Sequence, residues 1–219
     1  MKHLLNALIP HATKRSFKKG SVLLYQGEAP RMAYIIQSGH VKVYTINNAG
    51  EEQIVTFHSK NDVFPSPWLF NKSSTSLYYY ETFSDCDVLT LPRDIMREQL
   101  NKPERAPALI DYLATNYIGM MMRVTSLEQS RAREKIMFTL YQLLFRYGTE
   151  SKPGIFTIEL PLTHSVIASL VGLTRETTTA ELNQLKKQKI VSYAKRTYKV
   201  HKANLERALG EDNFKDISL

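Results

Sequence analysis

Short hydrophobic runs that alternate with polar residues fill the N-terminal part of this 219-residue chain. The runs lie in 21–30, 32–57 and 77–92, and turn signals separate them at Gly27, Gly39 and Asn47–Gly50. Period-two alternation between such turns predicts strands. We find no helical period in this part of the chain, so we expect residues 1–105 to form a β-roll of the double-stranded jelly-roll type.

From residue 106 the apolar residues recur at spacings of four and three, which predicts one long helix with a narrow stripe. The stripe consists of Leu109, Leu113, Asn116, Met120, Val124 and Leu127. A stripe this narrow suits pairing with one other helix, and we expect residues 106–130 to be a dimerisation helix and hinge. An ordinary amphipathic helix lying on its own domain is the alternative.

The third part, residues 131–219, begins with a further helix expected over 132–147. Gly148 ends that helix, and a loop over 148–154 leads to a strand over 156–160. The stretch 162–190 then has the pattern of a helix-turn-helix.

Local signals define each part of this helix-turn-helix. Thr163 caps the first helix, and Gly172 supplies the positive φ of a tight turn. Thr174 caps a second helix over 174–185, whose buried side is marked by Leu182 and Leu185.

Basic residues follow the second helix directly. Two short strands, Val191–Tyr193 and Tyr198–Val200, flank a basic tip at Lys195 and Arg196, which makes the unit a winged helix. The chain carries a net charge of +8, and residues 161–202 alone hold eight basic and two acidic residues. Because phosphate contacts need such a local excess, we expect this part to bind double-stranded DNA.

Several other classes are disfavoured by composition. No apolar run approaches the roughly 18–20 residues of a membrane span, and the N-terminal segment lacks the pattern of a signal peptide. Cys86 is the single cysteine, which rules out an intrachain disulfide. We find no metal-ligand cluster, phosphate loop or nucleophile motif, and expect a cytoplasmic protein that is not an enzyme.

The whole chain resembles the CRP/FNR family of bacterial transcription regulators. Gly27-Glu28, the segment 34–43, the long helix and the segment 160–177 carry the resemblance in the family's order. It implies an α+β chain with a cyclic-nucleotide-binding-like β-roll, a dimerisation helix and a winged helix. It also implies a homodimer that binds a palindromic DNA operator and contacts RNA polymerase.

The resemblance assigns roles within the DNA motif. Arg175 and Glu176 match the base-reading pair of the family, and Arg and Glu suit guanine and cytosine respectively. The expected base readers are Arg175, Glu176 and Thr179, and the expected phosphate contacts are Thr163, His164, Thr177, Lys195 and Arg196.

Three positions of the second helix depart from the family's pattern. Ala180 replaces a third base reader that is often Arg, and Thr178 and Glu181 stand at positions that are usually apolar. Altered preference at one base pair of each half-site is the consequence we expect, at about 1–3 kcal/mol for one bidentate contact.

The effector site also departs from the cyclic-nucleotide-binding relatives. Pro65 and Ser66 stand where those relatives have Gly-Glu, and Ser76-Leu77 replaces Arg-Ser. Pro has no amide donor, and no Arg lies between Arg31 and Arg93 to pair with a phosphate. We therefore expect that cyclic AMP is not bound in the usual way.

Two metal-containing effectors, an iron–sulfur cluster and haem, fit the sequence to different degrees. An iron–sulfur cluster is disfavoured because it needs several thiolates, and Cys86 between Asp85 and Asp87 suits a buried strand cysteine better than a redox switch. Haem remains an alternative, with candidate ligands at His40, His58, Met120, Met121 and Met122.

A small apolar or aromatic ligand, or no effector at all, also remains open. The residues expected around such a ligand are Ser66, Trp68, Tyr79, Met120 and Met121. The competing function is a haem-binding or small-molecule-sensing signalling module whose C-terminal domain binds protein instead of DNA.

Overall fold

The structure, a computed structural model, describes residues 8–210. The chain divides into two compact units between Thr115 and Asn116. This division falls inside the long helix that the sequence predicts over 106–130, so that helix belongs in part to each unit.

Two four-stranded antiparallel sheets make up most of the N-terminal unit. Their strands are β1 (Thr13–Phe17), β2 (Val22–Leu24), β3 (Ala33–Ser38), β4 (Val41–Ile46), β5 (Glu52–His58), β6 (Val63–Phe64), β7 (Tyr79–Thr82) and β8 (Cys86–Leu91). One sheet has the order β1-β8-β3-β6 and the other β2-β7-β4-β5. The predicted jelly-roll architecture is confirmed.

Alternation along the strands separates two hydrophobic cores. Ile36 of β3 packs with Val43 of β4 and Tyr80 of β7 in a cluster drawn from both sheets. Its neighbour Ile35 points the other way, into a cluster that includes Trp68. Successive strand residues face opposite sides of a sheet, so each sheet residue contributes to one core only.

The N-terminal unit contains two helices that the sequence did not predict. They are α1 (Ser66–Leu69) and α2 (Arg93–Leu100). Met96, Gln99 and Leu100 of α2 are buried, which is a helical i, i+3, i+4 pattern, but one with too few apolar residues to stand out. Both helices help to enclose the cluster that contains Trp68.

Gly39 forms the turn between β3 and β4 with φ of +85°. A Cβ at this position would lie 2.2 Å from the carbonyl oxygen of Asp85 and 2.6 Å from the Sγ of Cys86. The turn therefore packs directly on the start of β8 and covers the thiol of Cys86, which is 3% exposed. Burial raises the pKa of this thiol, consistent with the expected buried strand cysteine.

The long helix is α3 (Ala106–Glu128). In the C-terminal unit it is followed by α4 (Ala132–Tyr147), β9 (Gly148–Lys152), β10 (Ile155–Ile158), α5 (His164–Val171), α6 (Arg175–Lys187), β11 (Val191–Ala194), β12 (Thr197–His201) and α7 (Lys202–Leu209). No helix within residues 8–210 is both long and apolar enough to cross a membrane.

The predicted hairpin after the recognition helix is present as β11 and β12, but it belongs to a four-stranded sheet of order β11-β12-β10-β9. The segment 148–154 was predicted to be a loop, and this prediction was wrong. Its polar residues form β9 because they pair with β10 across a bulged register. Such a strand has no apolar alternation from which the sequence could predict it.

Candidate nucleic-acid interface

The helix-turn-helix has the local geometry that its sequence predicts. The Oγ1 of Thr163 accepts a hydrogen bond from the Val166 amide at 3.2 Å and caps α5. Gly172 has a left-handed backbone with φ of 65°. The Oγ1 of Thr174 accepts a bond from the Thr177 amide at 3.2 Å and caps α6. These groups fix the start of α6, the end that enters the major groove in this type of motif.

Helix α6 has one buried side and one exposed side. Thr178, Leu182 and Leu185 are buried, which matches the expected inner side and adds Thr178 to it. The exposed side contains Arg175, Glu176, Thr177, Ala180, Asn183, Gln184 and Lys187. Asn183, Gln184 and Lys187 were not among the expected contacts. They follow Glu176 and Ala180 at helical spacings of three and four, so the sequence does place them on the same side of the helix.

The expected base readers Arg175 and Glu176 occupy the first turn of α6 and are exposed. Neither side chain makes a hydrogen bond or an ion pair within residues 8–210. Both are therefore available for contact with a ligand, and the exposed first turn of a recognition helix is where base edges are read.

Thr179 and His164 bond to each other instead of both facing outward. The Nδ1 of His164 lies 2.9 Å from the Oγ1 of Thr179, and both side chains are half-buried. Burial and, to a smaller extent, the charge of Arg175 lower the pKa of His164. The Nδ1 of His164 is thus engaged within the motif, and the expected phosphate contact would have to use Nε2.

An aromatic contact extends from His164 to the wing. The ring of Tyr193 lies 5.0 Å from that of His164 in a T-shaped arrangement, and stacks on Tyr198 at 5.1 Å. The Tyr193 hydroxyl donates a 2.8 Å hydrogen bond to the Oδ1 of Asn183, and the Nζ of Lys186 lies 4.8 Å from the Tyr193 ring centroid. The wing is thus attached to the recognition helix through Tyr193.

The remaining expected phosphate contacts fall into two groups. Thr177, Lys195 and Arg196 are exposed, and Lys195 forms the wing turn with φ of 55°. Thr163 is half-buried and its hydroxyl already caps α5. A cap hydroxyl retains the capacity for a second bond, so Thr163 remains compatible with the expected role.

The exposed stripe of α3 differs from the predicted one at two positions. Leu109 packs against the core cluster that contains Trp68, and Asn116 is half-buried with contacts of its own. Ile110 and Tyr117 are instead 65% and 67% exposed. We call the resulting set the α3 stripe; it consists of Ile110, Leu113, Tyr117, Met120, Val124 and Leu127.

The α3 stripe has spacings of 3, 4, 3, 4 and 3, which is a regular heptad pattern. Adjacent apolar residues such as 109 and 110 fit a stripe about equally well by sequence. Packing of Leu109 on its own unit decides between these two, and, Tyr117 apart, the other four positions of the stripe are the predicted ones.

Parallel aromatic rings from strands of both sheets stack on one another. Phe64 stacks on Tyr34 and on Tyr80, each at 5.0 Å, and His58 stacks on Phe64 at 5.4 Å and on Tyr80 at 5.9 Å. Phe64 is completely buried. We call these four rings the aromatic stack.

Within the N-terminal unit, the residues expected around an effector have different surroundings. Trp68 is buried in the other core, and the Ser66 hydroxyl donates to the carbonyl of Val63 at 3.1 Å. Tyr79 points away from the sheet interior and stacks on Tyr44 at 5.1 Å. Tyr80, one residue later, is the residue that packs in the core cluster between β3, β4 and β8.

The methionines and histidines expected as candidate haem ligands differ in their exposure and in the groups they contact. Met120 and Met121 are exposed on α3, whereas Met122 is buried in the C-terminal unit. The Nδ1 of His40 lies 2.8 Å from the Ser59 hydroxyl, and His58 belongs to the aromatic stack. Within residues 8–210 there is no group of three or more His, Cys, Asp or Glu side chains suited to a metal ion.

The loop that matches the phosphate cassette has internal partners. Ser76 donates its hydroxyl to the carbonyl of Tyr78 at 2.7 Å, and its amide and carbonyl bond to Glu28 and Gly27. Pro65 follows Phe64 through a cis peptide bond. The segment between Arg31 and Arg93 has no Arg that could pair with a phosphate here.

Comparison with known proteins agrees with both units. The family model of the cyclic nucleotide-binding domain matches residues 14–102, and that of the Crp-like helix-turn-helix domain matches residues 134–207. The global nitrogen regulator of Synechococcus elongatus is 27% identical over 82% of this chain and 82% of its own length. The fumarate and nitrate reduction regulatory protein of Vibrio cholerae is 29% identical over 82% of this chain and 71% of its own length.

Solved structures show the same fold. FixK2 from Bradyrhizobium japonicum has a TM-score of 0.72 at 23% identity, covering 90% of this chain and 96% of that one. A CooA mutant from Carboxydothermus hydrogenoformans has a TM-score of 0.74 at 18% identity, covering 93% and 90%. With its β-roll, long helix and Crp-like helix-turn-helix in this order, the chain belongs to the CRP/FNR family of transcription regulators.

Proposed function

We propose that the chain is a homodimeric regulator that reads the two halves of a palindromic DNA operator with the first turn of α6. The observation that carries this proposal is the doubly capped helix pair, which presents Arg175 and Glu176 exposed and without partners within residues 8–210. Arg is a bidentate donor to guanine, and Glu accepts from the amino group of cytosine. The half-site therefore includes a G·C pair that faces this turn.

Charge supports DNA as the partner. Of the net charge of +8, six units lie within residues 161–202. Lys187 extends the exposed side of α6, while Lys195 and Arg196 form the tip of the wing. A basic wing beside a recognition helix attracts the phosphate backbone on both sides of the groove, which a protein-binding domain does not require.

The α3 stripe supports a homodimer. Its six exposed apolar side chains follow a heptad over almost the full length of the 23-residue helix. Such a surface is disfavoured in water unless a second helix covers it. Pairing two copies of α3 brings two recognition helices to one operator, as the palindromic site requires.

Two features of the N-terminal unit support regulation without a cyclic nucleotide. Rings of the aromatic stack come from strands of both sheets and pack on one another, and the cassette loop offers neither Gly-Glu nor Arg-Ser. We propose that DNA binding needs no added cyclic AMP. Contact with RNA polymerase and a cytoplasmic location belong to the same proposal, since they are the setting in which a transcription regulator of this family acts.

Selection of bound duplexes from a random library tests the proposal. The purified full chain, with no ligand added, should enrich a two-fold palindrome. Arg175→Ala should weaken binding to the selected site about tenfold or more, because one bidentate base contact contributes about 1–3 kcal/mol. Lys152→Ala removes an exposed positive charge on β9 and serves as the control, with an effect below about twofold.

Equal losses for the two variants would mean that α6 does not read bases. Capture of only non-specific duplexes, with and without cell extract, would contradict the operator itself. Enrichment that appears only with cyclic AMP would contradict the proposed independence from the nucleotide.

A further inference from the structure

His164 occupies the first position of α5, directly after the capping residue Thr163. Its Nδ1 points across to α6 and lies 2.9 Å from the Oγ1 of Thr179. The hydrogen bond joins the two helices of the motif at the level of the recognition turn. Thr179 is half-buried and so retains part of its surface exposed.

A second link holds the same helix one turn later. The hydroxyl of Tyr193 bonds to Asn183 at 2.8 Å, and the Tyr193 ring packs against that of His164 at 5.0 Å. Thr179 and Asn183 are four residues apart and so lie on one side of α6. His164 and Tyr193 therefore form one unit that contacts α6 at two successive turns.

We propose that His164 is a positioning residue for base recognition: its Nδ1 orients the hydroxyl of Thr179 and so sets the base preference at the position facing Thr179. This inference rests on the proposed DNA-binding function. It replaces the direct phosphate contact that the sequence indicates for His164.

The chemistry of the two groups supports a positioning role. A threonine hydroxyl has one proton to donate and two lone pairs to accept. Once Nδ1 engages one of these, the direction of the others is fixed, and a fixed donor or acceptor discriminates between base edges. Burial and the charge of Arg175 lower the pKa of His164, which favours the neutral ring, and a neutral ring offers a phosphate no ion pair.

Two amide substitutions separate the alternatives, because each replaces a different ring nitrogen. His164→Asn places an amide near the position of Nδ1, and His164→Gln places it near Nε2. If positioning through Nδ1 is the role, Asn should retain the base preference while Gln and Ala lose it by about fivefold, the value of about one hydrogen bond. A phosphate contact through Nε2 predicts the reverse order.

Salt dependence and coupling give independent measurements. Loss of a phosphate contact lowers the slope of log K against log salt by about 1, and Lys195→Ala on the wing serves as the reference for such a loss. The His164 variants should leave that slope unchanged. In a double-mutant cycle, His164→Ala and Thr179→Val should be non-additive, since they remove the same bond.

These measurements use the full chain and the duplex that the wild type selects. Additive losses, a slope that falls as for Lys195→Ala, or rescue by Gln and not by Asn would each overturn the positioning role while leaving sequence-specific binding intact. Failure of the wild type to select any palindrome would instead contradict the proposed function, before any His164 variant is compared.

Discussion

Thr178 of α6 is fully buried, and its Oγ1 has no hydrogen-bond partner in the part of the chain that the structure describes. A buried hydroxyl without a partner costs about 1–3 kcal/mol. Thr178→Val keeps the branched shape and replaces the hydroxyl by a methyl group, and the helix propensities of the two residues are similar. We therefore expect the substitution to stabilise the C-terminal unit.

The magnitude follows from these two contributions. Removal of the unsatisfied hydroxyl and burial of one methyl group both act in this direction, and together they should raise the free energy of unfolding by at least about 1 kcal/mol. For a unit of this size that corresponds to roughly 4–8 °C in Tm for each kcal/mol. Scanning calorimetry of the full chain measures the shift in the transition of the C-terminal unit.

Thr179→Val is the matched control, because the same change at the next residue removes a hydroxyl that is bonded to His164. It should lower the free energy of unfolding by about 1 kcal/mol. The reasoning is refuted if Thr178→Val lowers the Tm, or if the two substitutions shift it equally.

Three other expectations follow from the geometry. Val124→Lys, which puts a charge in the α3 stripe, should convert the dimer into a monomer in sedimentation at micromolar concentration, whereas Glu128→Lys on the same helix should not. Because the pKa of His164 is lowered in the folded chain, its neutral ring stabilises the fold. This contribution is complete above the ordinary histidine pKa of about 6.5 and is lost as the pH falls below that value. Urea midpoints should thus decrease less between pH 7.5 and 5 for His164→Asn than for the wild type, and an equal decrease would contradict the assignment. Gly39→Ala should cost at least about 2 kcal/mol, against about 1 for Gly20→Ala, because both have similar positive φ but only Gly39 has neighbours within 4 Å; equal denaturant midpoints would disprove this.

The helix-turn-helix could be predicted from the sequence because each of its signals is local. The caps at Thr163 and Thr174 and the turn at Gly172 act on residues within one helical turn of themselves. The winged hairpin is also local, since its strands are separated by a single tight turn.

Features that depend on contacts between distant segments were not predictable in this way. Whether Leu109 or Ile110 belongs to the α3 stripe depends on which of the two packs on a core built from β3, β8 and α2. The bond between His164 and Thr179 depends on the rotation of α5 relative to α6, which helical periodicity does not specify. Strand β9 exists through its pairing with β10, and not through its own polar sequence.

Cys86 is a natural probe for the opening of the N-terminal unit. It is the only thiol of the chain, it lies beneath the Gly39 turn, and burial raises its pKa. Since only an exposed thiolate attacks a disulfide reagent quickly, the native protein should react slowly and the opened β-roll fast. The labelling rate of the unmodified chain thus reports the opening free energy of the N-terminal unit alone, with no engineered probe.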